Sequence, residues 1–416
     1  MSEHIFTGFG FGPIQSGLFV AEAFESGNFS RIVIAEIDQN LVDAIRANNG
    51  SFYVNIATSK LIELQKIDGI EIYNPTVEED RKQLLDALSQ STEIVTSLPS
   101  VDFFDIGENS VASLIKKGLE NSTAPATIIY TAENNNHAAE ILEEKVGSFE
   151  NAQFLNTVIG KMSQVVTDAD EIKQKNLKPI APGIDRAFLV EEFNKILVTK
   201  CNIPDFAPGI EVLTEKEDLL PFEEAKLYGH NAIHALLAYL GAAKGYTKMA
   251  QLKDDAEIMR IARDAFINES GDALIKKYTN LNDALFTQDG FRAYAEDLLE
   301  RMTNSYLDDT TERAARDPKR KLGLNDRIFG TMQLALHYGI EPKNMALGAM
   351  AGVLCLLKNA EENKVPQGLC FSDRDKIDDI EIEKVLHWLW QHKIGQYSSE
   401  IVKYVQRVPL ADVRCD

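Results

Sequence analysis

Cysteine patterns that hold metals or staple small folds are missing from this chain. Its four cysteines, Cys201, Cys355, Cys370 and Cys415, are scattered, with no C-x-x-C pair and no Cys/His spacing of a zinc site. No cysteine-built zinc site is therefore expected, and the thiols are expected to be buried and neutral in a reducing cytoplasm. No uncharged apolar run reaches the ~18 residues of a membrane-spanning helix. The opening MSEHIF has neither the basic nor the apolar region of a signal peptide. A cytoplasmic protein with no membrane partner is the expectation. Basic residues are outnumbered 64 to 43, for a net charge of -21. That balance argues against a nucleic-acid or anionic-membrane partner. An anionic small-molecule substrate would need a local basic site against the overall field. There is no low-complexity segment and no convincing repeat. At 416 residues, 44% hydrophobic and 26% charged, the chain is long enough for two globular domains, each with its own core.

The first half reads as a nucleotide-binding sheet. Ile5 to Gly10 is a short apolar strand that runs into GFGFGPIQSG, followed by the helix-like LFVAEAF. Strand, glycine turn and helix together form the context of a dinucleotide fingerprint. Glycines let the backbone approach a pyrophosphate, and the helix N-terminus supplies the field for it. Gly10 and Gly12 fill the first two positions of G-x-G-x-x-G, with Ile14 inside the turn. The third position is Gln15, and Gly17 follows two residues on. A purely structural glycine turn is the alternative. The next strand, Arg31 to Ile37, ends in Glu36, about twenty residues beyond the turn, where a carboxylate hydrogen-bonds the adenosine ribose of NAD and repels the 2′-phosphate of NADP. Further parallel strands are expected at Glu93 to Pro99 and Thr127 to Thr131. Asn134, just past the latter, suits a helix N-cap.

Pro204, Pro208 and Gly209 mark a break, so the chain divides into an NAD-binding, doubly wound α/β (Rossmann-type) domain over residues 1–203 and a mostly α-helical domain over 204–416. Helical periodicity is read at Phe291 to Leu299, Asn325 to Tyr338, Pro342 to Lys358 and Ile380 to Gln391. The most informative helix is Pro221 to Tyr246, PFEEAKLYGHNAIHALLAYLGAAKGY, read as one long amphipathic helix with Gly229 as its only breaker. On an α-helical wheel Glu223, Lys226, Asn231 and His234 share an arc of roughly 140°. A solvated helix face would carry the same residues. They also suit proton transfer beside a polarised oxygen. Lys226 would be the acid/base once burial lowers its pKa, Glu223 a relay to water, Asn231 a donor to an alkoxide, and His234 a holder of a hydroxyl.

The arrangement K-x4-N-x2-H followed by AYLGAAKGY (Ala238 to Tyr246) resembles the polyol-specific long-chain dehydrogenases, the mannitol dehydrogenase family, and within it the mannitol-1-phosphate 5-dehydrogenase branch. The likeness runs through the whole chain. The glycine turn is similar to the family's G-x-G-x-x-G-x-G, with Gly10, Gly12 and Gly17 matching. Asn48 to Ile56 resembles N-R-G-x-Y-x-V with Asn49 in place of Arg. Asn156 to Val166 departs from N-T-x-x-D-R-I-x-P, with Gly160 for Asp, Lys161 for Arg and no proline. Arg301 to Arg327 is close to R-F-x-N-P-x-L-x-D-x-x-x-R-V-x-R-D-P-x-R-K-L-x-x-N-D-R, with Ser305 for the first Pro.

The resemblance implies metal-independent hydride transfer with NAD, a Lys226, Asn231 and His234 active site, and Asn134 as a second amide near the reacting carbon. It implies the reaction mannitol 1-phosphate plus NAD giving fructose 6-phosphate plus NADH, and a monomer. From Arg313 to Arg327 six basic residues face two acidic ones. Arg313, Arg316, Arg320 and Lys321 are the candidates for the phosphate, a solvated loop of Arg–Asp pairs being the other reading. A uronate (tagaturonate or fructuronate) or a non-phosphorylated polyol is the alternative substrate. A catalytically silent NAD-binding sensor is the alternative class, motivated by Gln15 and Gly160.

Overall fold

Apolar residues occupy both faces of the first strands, so both faces must be covered. In the computed structural model of the chain, which describes residues 4–370 and 377–413, the strand Phe29–Ala35 sends Ile32 and Ile34 into one buried cluster with Phe6 and Phe19. Val33 and Ala35 go into another with Phe9 and Leu88. Side chains alternate across a strand, which divides the residues in this way.

Twelve strands lie in the first of two units, Met1–Leu220. They are β1 (His4–Phe9), β2 (Phe29–Ala35), β3 (Phe52–Ala57), β4 (Ile62–Ile67), β5 (Glu71–Tyr73), β6 (Glu93–Thr96), β7 (Thr127–Thr131), β8 (Ala152–Ile159), β9 (Ser163–Val166), β10 (Ala187–Glu191), β11 (Ile196–Thr199) and β12 (Leu213–Lys216). The main sheet runs β12-β11-β8-β7-β6-β1-β2-β5. From β5 to β8 all pairings are parallel, as expected of a doubly wound fold. β11 then pairs antiparallel to β8, and β12 parallel to β11. Chain order reverses between β1 and β6, the switch point at whose carboxyl end open α/β sheets bind ligands. A second sheet, β4-β3-β10-β9, was not anticipated. Its strands are short, and β3 and β10 meet across more than a hundred residues, so no local spacing signals the pairing.

The expected boundary at residue 203 shifts to Leu220. Pro204, Pro208 and Gly209 do break the chain, but the stretch from there to Leu220 stays with the first unit. β12 adds to the sheet edge, and Gly209 N–H donates to Glu93 Oε1 at 2.5 Å. Glu93 is fully buried beside His4, 3.6 Å away. Burial pushes its carboxyl up to about 7, against the pull of the Gly209 and Ile210 N–H groups and the Tyr130 hydroxyl. Glu133 behaves alike, raised to about 6 by burial while it accepts from Thr96 Oγ1 and Leu98 N–H. An acid with a raised folded pKa binds its proton more tightly in the folded than in the unfolded chain. Stability is then highest below the unfolded value and falls as pH rises through the folded one. Urea unfolding should therefore show stability falling as pH rises from about 5 to about 8, and Glu93→Gln should flatten part of that slope.

The second unit, Pro221–Asp416, is helical. The helices Gln288–Met302, Arg327–His337, Lys343–Lys358 and Asp379–Leu389 fall within a few residues of the expected ones. The helix expected to be amphipathic is so only at its start. From Ala232 to Ala243 it is buried nearly all round, with Ile233, Leu236, Leu237 and Tyr239 fully covered. IHALLAYLGAA carries no acid, Lys or Arg, and a helix without a polar face belongs inside. The three described cysteines are free, and none is fully buried; Cys370 is exposed, because it sits in a short turn rather than a core element. Cys415 lies outside the described residues.

Candidate active site

The glycine turn after β1 forms a cradle. Gly10 has φ +86°, and a Cβ there would stand 2.8 Å from the Ser97 carbonyl at the end of β6, so only glycine fits. Around Gly12 a Cβ would meet nothing within 4 Å, which leaves open space over the backbone. The Gln15 departure has a structural explanation. Residues Gln15–Val20 start the helix as a π turn. The Gln15 amide lies over Gly8, where a Cβ would be 1.8 Å from its Nε2. The extra residue per turn hands the third glycine's packing role to Gly17, whose Cα faces Val190 Cγ1 of β10. Ser16 Oγ and Gln15 Oε1, buried at this helix start, have no hydrogen-bond partner among the described residues. Glu36 Oε1 accepts from the Ile37 and Asp38 N–H groups at 2.8 Å, which fixes the carboxylate at the end of β2. Asp38 ties up the neighbouring cation, Arg186, at 2.7 Å. A turn open over Gly12, an unpartnered hydroxyl and an anchored acid beside a neutralised arginine fit NAD better than NADP.

Asn134 is exposed in the loop after β7. It is not the helix cap, because the following helix begins only at Ala138, and its carboxamide has no partner among the described residues. The buried Glu133 anchors this loop to the end of β6. Asn156 serves the next helix, accepting from Ala139 N–H at 2.9 Å. Lys161 donates to the Phe193 carbonyl at 2.9 Å.

In the second unit the segment holding Lys226 and Asn231 is not α-helical. Residues Ala225–Asn231 form a π turn between Leu220–Glu224 and Ala232–Ala243. A π turn closes its hydrogen bonds from i to i+5, so Asn231 stands one turn above Lys226 instead of well round the cylinder. Gly229 is the enabling residue, since a Cβ there would lie 2.8 Å from the buried Phe266 ring. In an ordinary helix Gly→Ala gains about 1 kcal/mol. Here the sign should reverse: Gly229→Ala is expected to lower stability by ~1–3 kcal/mol through overpacking. Chemical denaturation checks it, and a gain in stability would contradict the close packing.

Lys226 is half-buried, and its ammonium has no hydrogen bond or ion pair among the described residues. Burial lowers its pKa to about 8, helped by the positive charge of Arg327 and opposed by Glu223. The Asn231 carboxamide is likewise unpartnered and half-buried. His230, buried and facing His234, has its pKa pushed down by burial and then by His234, Arg301, Lys226 and Arg327. These couplings place Lys226, His230, His234, Arg301 and Arg327 in one cationic neighbourhood. His234 Nε2 lies 3.2 Å from Asp309 Oδ2, at ion-pair distance but off the line of a hydrogen bond. Asp309 is 2% exposed and also accepts from Arg313 Nε at 2.6 Å. Burial pushes its carboxyl up, but His234 and Arg313 together hold it well below the usual carboxylate range. A carboxylate against Nε2 favours the proton there and leaves Nδ1 as the acceptor for a hydroxyl. Nothing in the spacing of the sequence shows that Asp309 reaches His234 from a different segment.

The four phosphate candidates do not converge as free cations. Arg313 is held by Asp309, and Arg320 by Asp317. Lys321 turns inward, donating to the Ala314 carbonyl at 2.6 Å; burial and the charges of Arg327, Arg320 and Arg316 lower its pKa to about 7. Arg316 is exposed and makes no ion pair among the described residues. Among those residues no three His, Cys, Asp or Glu side chains are placed to share a metal ion, and no helix is long and apolar enough to cross a membrane.

Residues 218–387, which carry Lys226, Asn231, His234 and Asp309, match the family model described as the mannitol dehydrogenase C-terminal domain. The mannitol-1-phosphate 5-dehydrogenase of Caldanaerobacter subterraneus subsp. tengcongensis is 29% identical over 351 residues, 83% of this chain and 85% of that protein. The enzyme of the same name from Thermoanaerobacter pseudethanolicus is 29% identical over 353 residues, 83% and 84% of the two chains. Residues 218–387 are thus similar to a mannitol dehydrogenase C-terminal domain, and most of the chain is similar to enzymes named mannitol-1-phosphate 5-dehydrogenase. Solved structures share its fold: D-sorbitol dehydrogenase in substrate-free form has a TM-score of 0.78 at 14% identity, covering 99% of this chain and 95% of its own. The Pseudomonas fluorescens mannitol 2-dehydrogenase ternary complex with NAD and D-mannitol has a TM-score of 0.67 at 17% identity, covering 97% and 91%. The lysine, asparagine and histidine of the expected active site all lie on or next to the π turn.

Proposed function

We propose that the protein is an NAD-dependent oxidoreductase that interconverts mannitol 1-phosphate and fructose 6-phosphate, without a metal. The observation that carries the reading is Lys226: a lysine with no hydrogen bond or ion pair among the described residues, its pKa held down to about 8, one π turn below an unpartnered carboxamide. The cradle of Gly10, Gly12, Ile14 and Gly17 would hold the cofactor's pyrophosphate, and Glu36 its adenosine ribose. NAD, when bound, accepts the hydride from the carbinol carbon. Lys226 takes the hydroxyl proton as the neutral amine, and returns it as the ammonium in the reverse direction. Asn231 donates to the developing alkoxide. His234, set by Asp309, accepts a neighbouring hydroxyl at Nδ1. Glu223, whose charge is felt at Lys226, passes the proton to water.

A uronate is the second reading. Arg313, Arg320 and Lys321 already have protein partners, which leaves Arg316, of the four candidates, to meet a phosphate. NADH oxidation with fructose 6-phosphate, fructose, fructuronate and tagaturonate, side by side, separates the readings. Turnover confined to fructose 6-phosphate supports the phosphate substrate. Turnover confined to a uronate keeps the lysine chemistry and overturns the phosphate. Tight NADH binding with no turnover would leave the silent sensor.

A further inference from the structure

The π turn that carries Lys226 and Asn231 is braced from one side by a second π turn, Ala265–Gly271. Three residues of this second turn make the brace. Phe266 fills the space beside Gly229 that a Cβ would take. Glu269, buried, accepts from the Asn344 N–H, the Asn344 side-chain amide and the Met345 N–H at 2.7 to 2.8 Å, which anchors the second turn to the start of helix Lys343–Lys358. Ser270, fully buried, donates its hydroxyl to the Tyr228 carbonyl at 2.8 Å. A helical serine ordinarily returns its hydroxyl to its own preceding turn. This one spends it on the middle of the first π turn. Thr331 Oγ1 also lies 3.1 Å from that carbonyl, but its single proton has a closer acceptor in the Arg327 carbonyl at 2.6 Å. Ser270 is therefore the principal side-chain donor to Tyr228.

A π turn is rare and costs more than the α-helix it interrupts. It persists where neighbours favour the carbonyl directions it creates. We propose that Ser270 is a positioning residue: its hydrogen bond to the Tyr228 carbonyl keeps residues 225–231 in the widened turn that sets Lys226 one turn below Asn231. It touches neither substrate nor cofactor and acts only through that turn. Its effect on turnover rests on the function proposed above; its effect on the lysine does not.

The test uses the full-length protein with Ser270→Ala, Ser270→Cys, which keeps the volume with a weaker donor, and Thr331→Val. Two quantities are read. One is kcat for the substrate that the wild type turns over. The other is the pH dependence of Lys226 acetylation by limiting acetic anhydride, followed by peptide mass spectrometry, which needs no substrate. Ser270→Ala should lower kcat roughly tenfold with little change in KM. Its acetylation midpoint should move up from the wild-type value toward that of a solvated lysine, because the side chain leaves its desolvated position. Ser270→Cys should fall between, and Thr331→Val should change both much less. If Ser270→Ala does not fold, the Cys variant carries the test. An acetylation curve identical to the wild type, or a loss of kcat that merely tracks the folded fraction, overturns the proposal. A wild type inert toward all four sugars overturns the proposed function alone, since the acetylation curves still decide the role of Ser270.

Discussion

Lys226→Ala should lower kcat for polyol oxidation by roughly a thousandfold, within the range that a general base contributes. NADH affinity should stay within about twofold, because the cradle proposed for the nucleotide is built from residues of the first unit. The size of the effect comes from the proton affinity of the amine. A solvated lysine at pH 7.5 is neutral in only about one molecule in a thousand, whereas a value of about 8 leaves roughly a quarter neutral. Burial is the main cause and Arg327 the second, so the gain depends on the site staying dry and cationic. Adding a small primary amine should restore part of the lost rate to Lys226→Ala. Turnover unaffected by the substitution would remove the lysine from the mechanism.

The second large effect is expected at Asp309. Asp309→Asn keeps the volume and deletes the charge that faces both His234 and Arg313. Removing one partner of a buried pair costs ~3–5 kcal/mol. Arg313 is partly exposed and can recover some hydration, so a loss of about 3 kcal/mol is expected by urea unfolding. The carboxyl's pKa is lowered in the folded state, so its contribution is complete above the unfolded value and fades only as pH falls through the folded one. At neutral pH all of it is available to be lost. The same substitution should raise KM for the polyol, because the proton is no longer favoured on His234 Nε2. Wild-type stability with a raised KM would mean that the carboxylate matters to substrate alone. Lowered stability with an unchanged KM would take His234 Nδ1 out of substrate binding.

The parts of the fold set by local periodicity were legible in the sequence. Thr127–Thr131 and Lys343–Lys358 were found almost to the residue because a short β-branched, apolar run and the 3.6-residue period are written in consecutive side chains. Gly10 was legible because its left-handed φ and its close approach to the Ser97 carbonyl demand glycine. What failed were features set by distant partners. The small sheet depends on β3 meeting β10. The stretch from Pro204 stays with the first unit because Gly209 bonds Glu93. The π turn was invisible for another reason. A helical wheel assumes one period throughout, and no residue type announces an inserted one. Gly229 was noticed as a breaker, but its cause, the Phe266 ring, lies in another segment. Lys226, Asn231 and His234 were proposed from motif spacing and resemblance, while the placement of Asp309 against His234 and of Ser270 against the Tyr228 carbonyl became visible only in three dimensions.

The central claim is that a lysine with a lowered pKa is the general base. Its most direct test is the pH profile of kcat for polyol oxidation by the wild type, compared with the residual activity of Lys226→Ala. The account predicts a rise to a plateau with an inflection near 8 and no such inflection in the variant. A profile that keeps rising to the pKa of a solvated lysine, or an inflection that survives in Lys226→Ala, would contradict it.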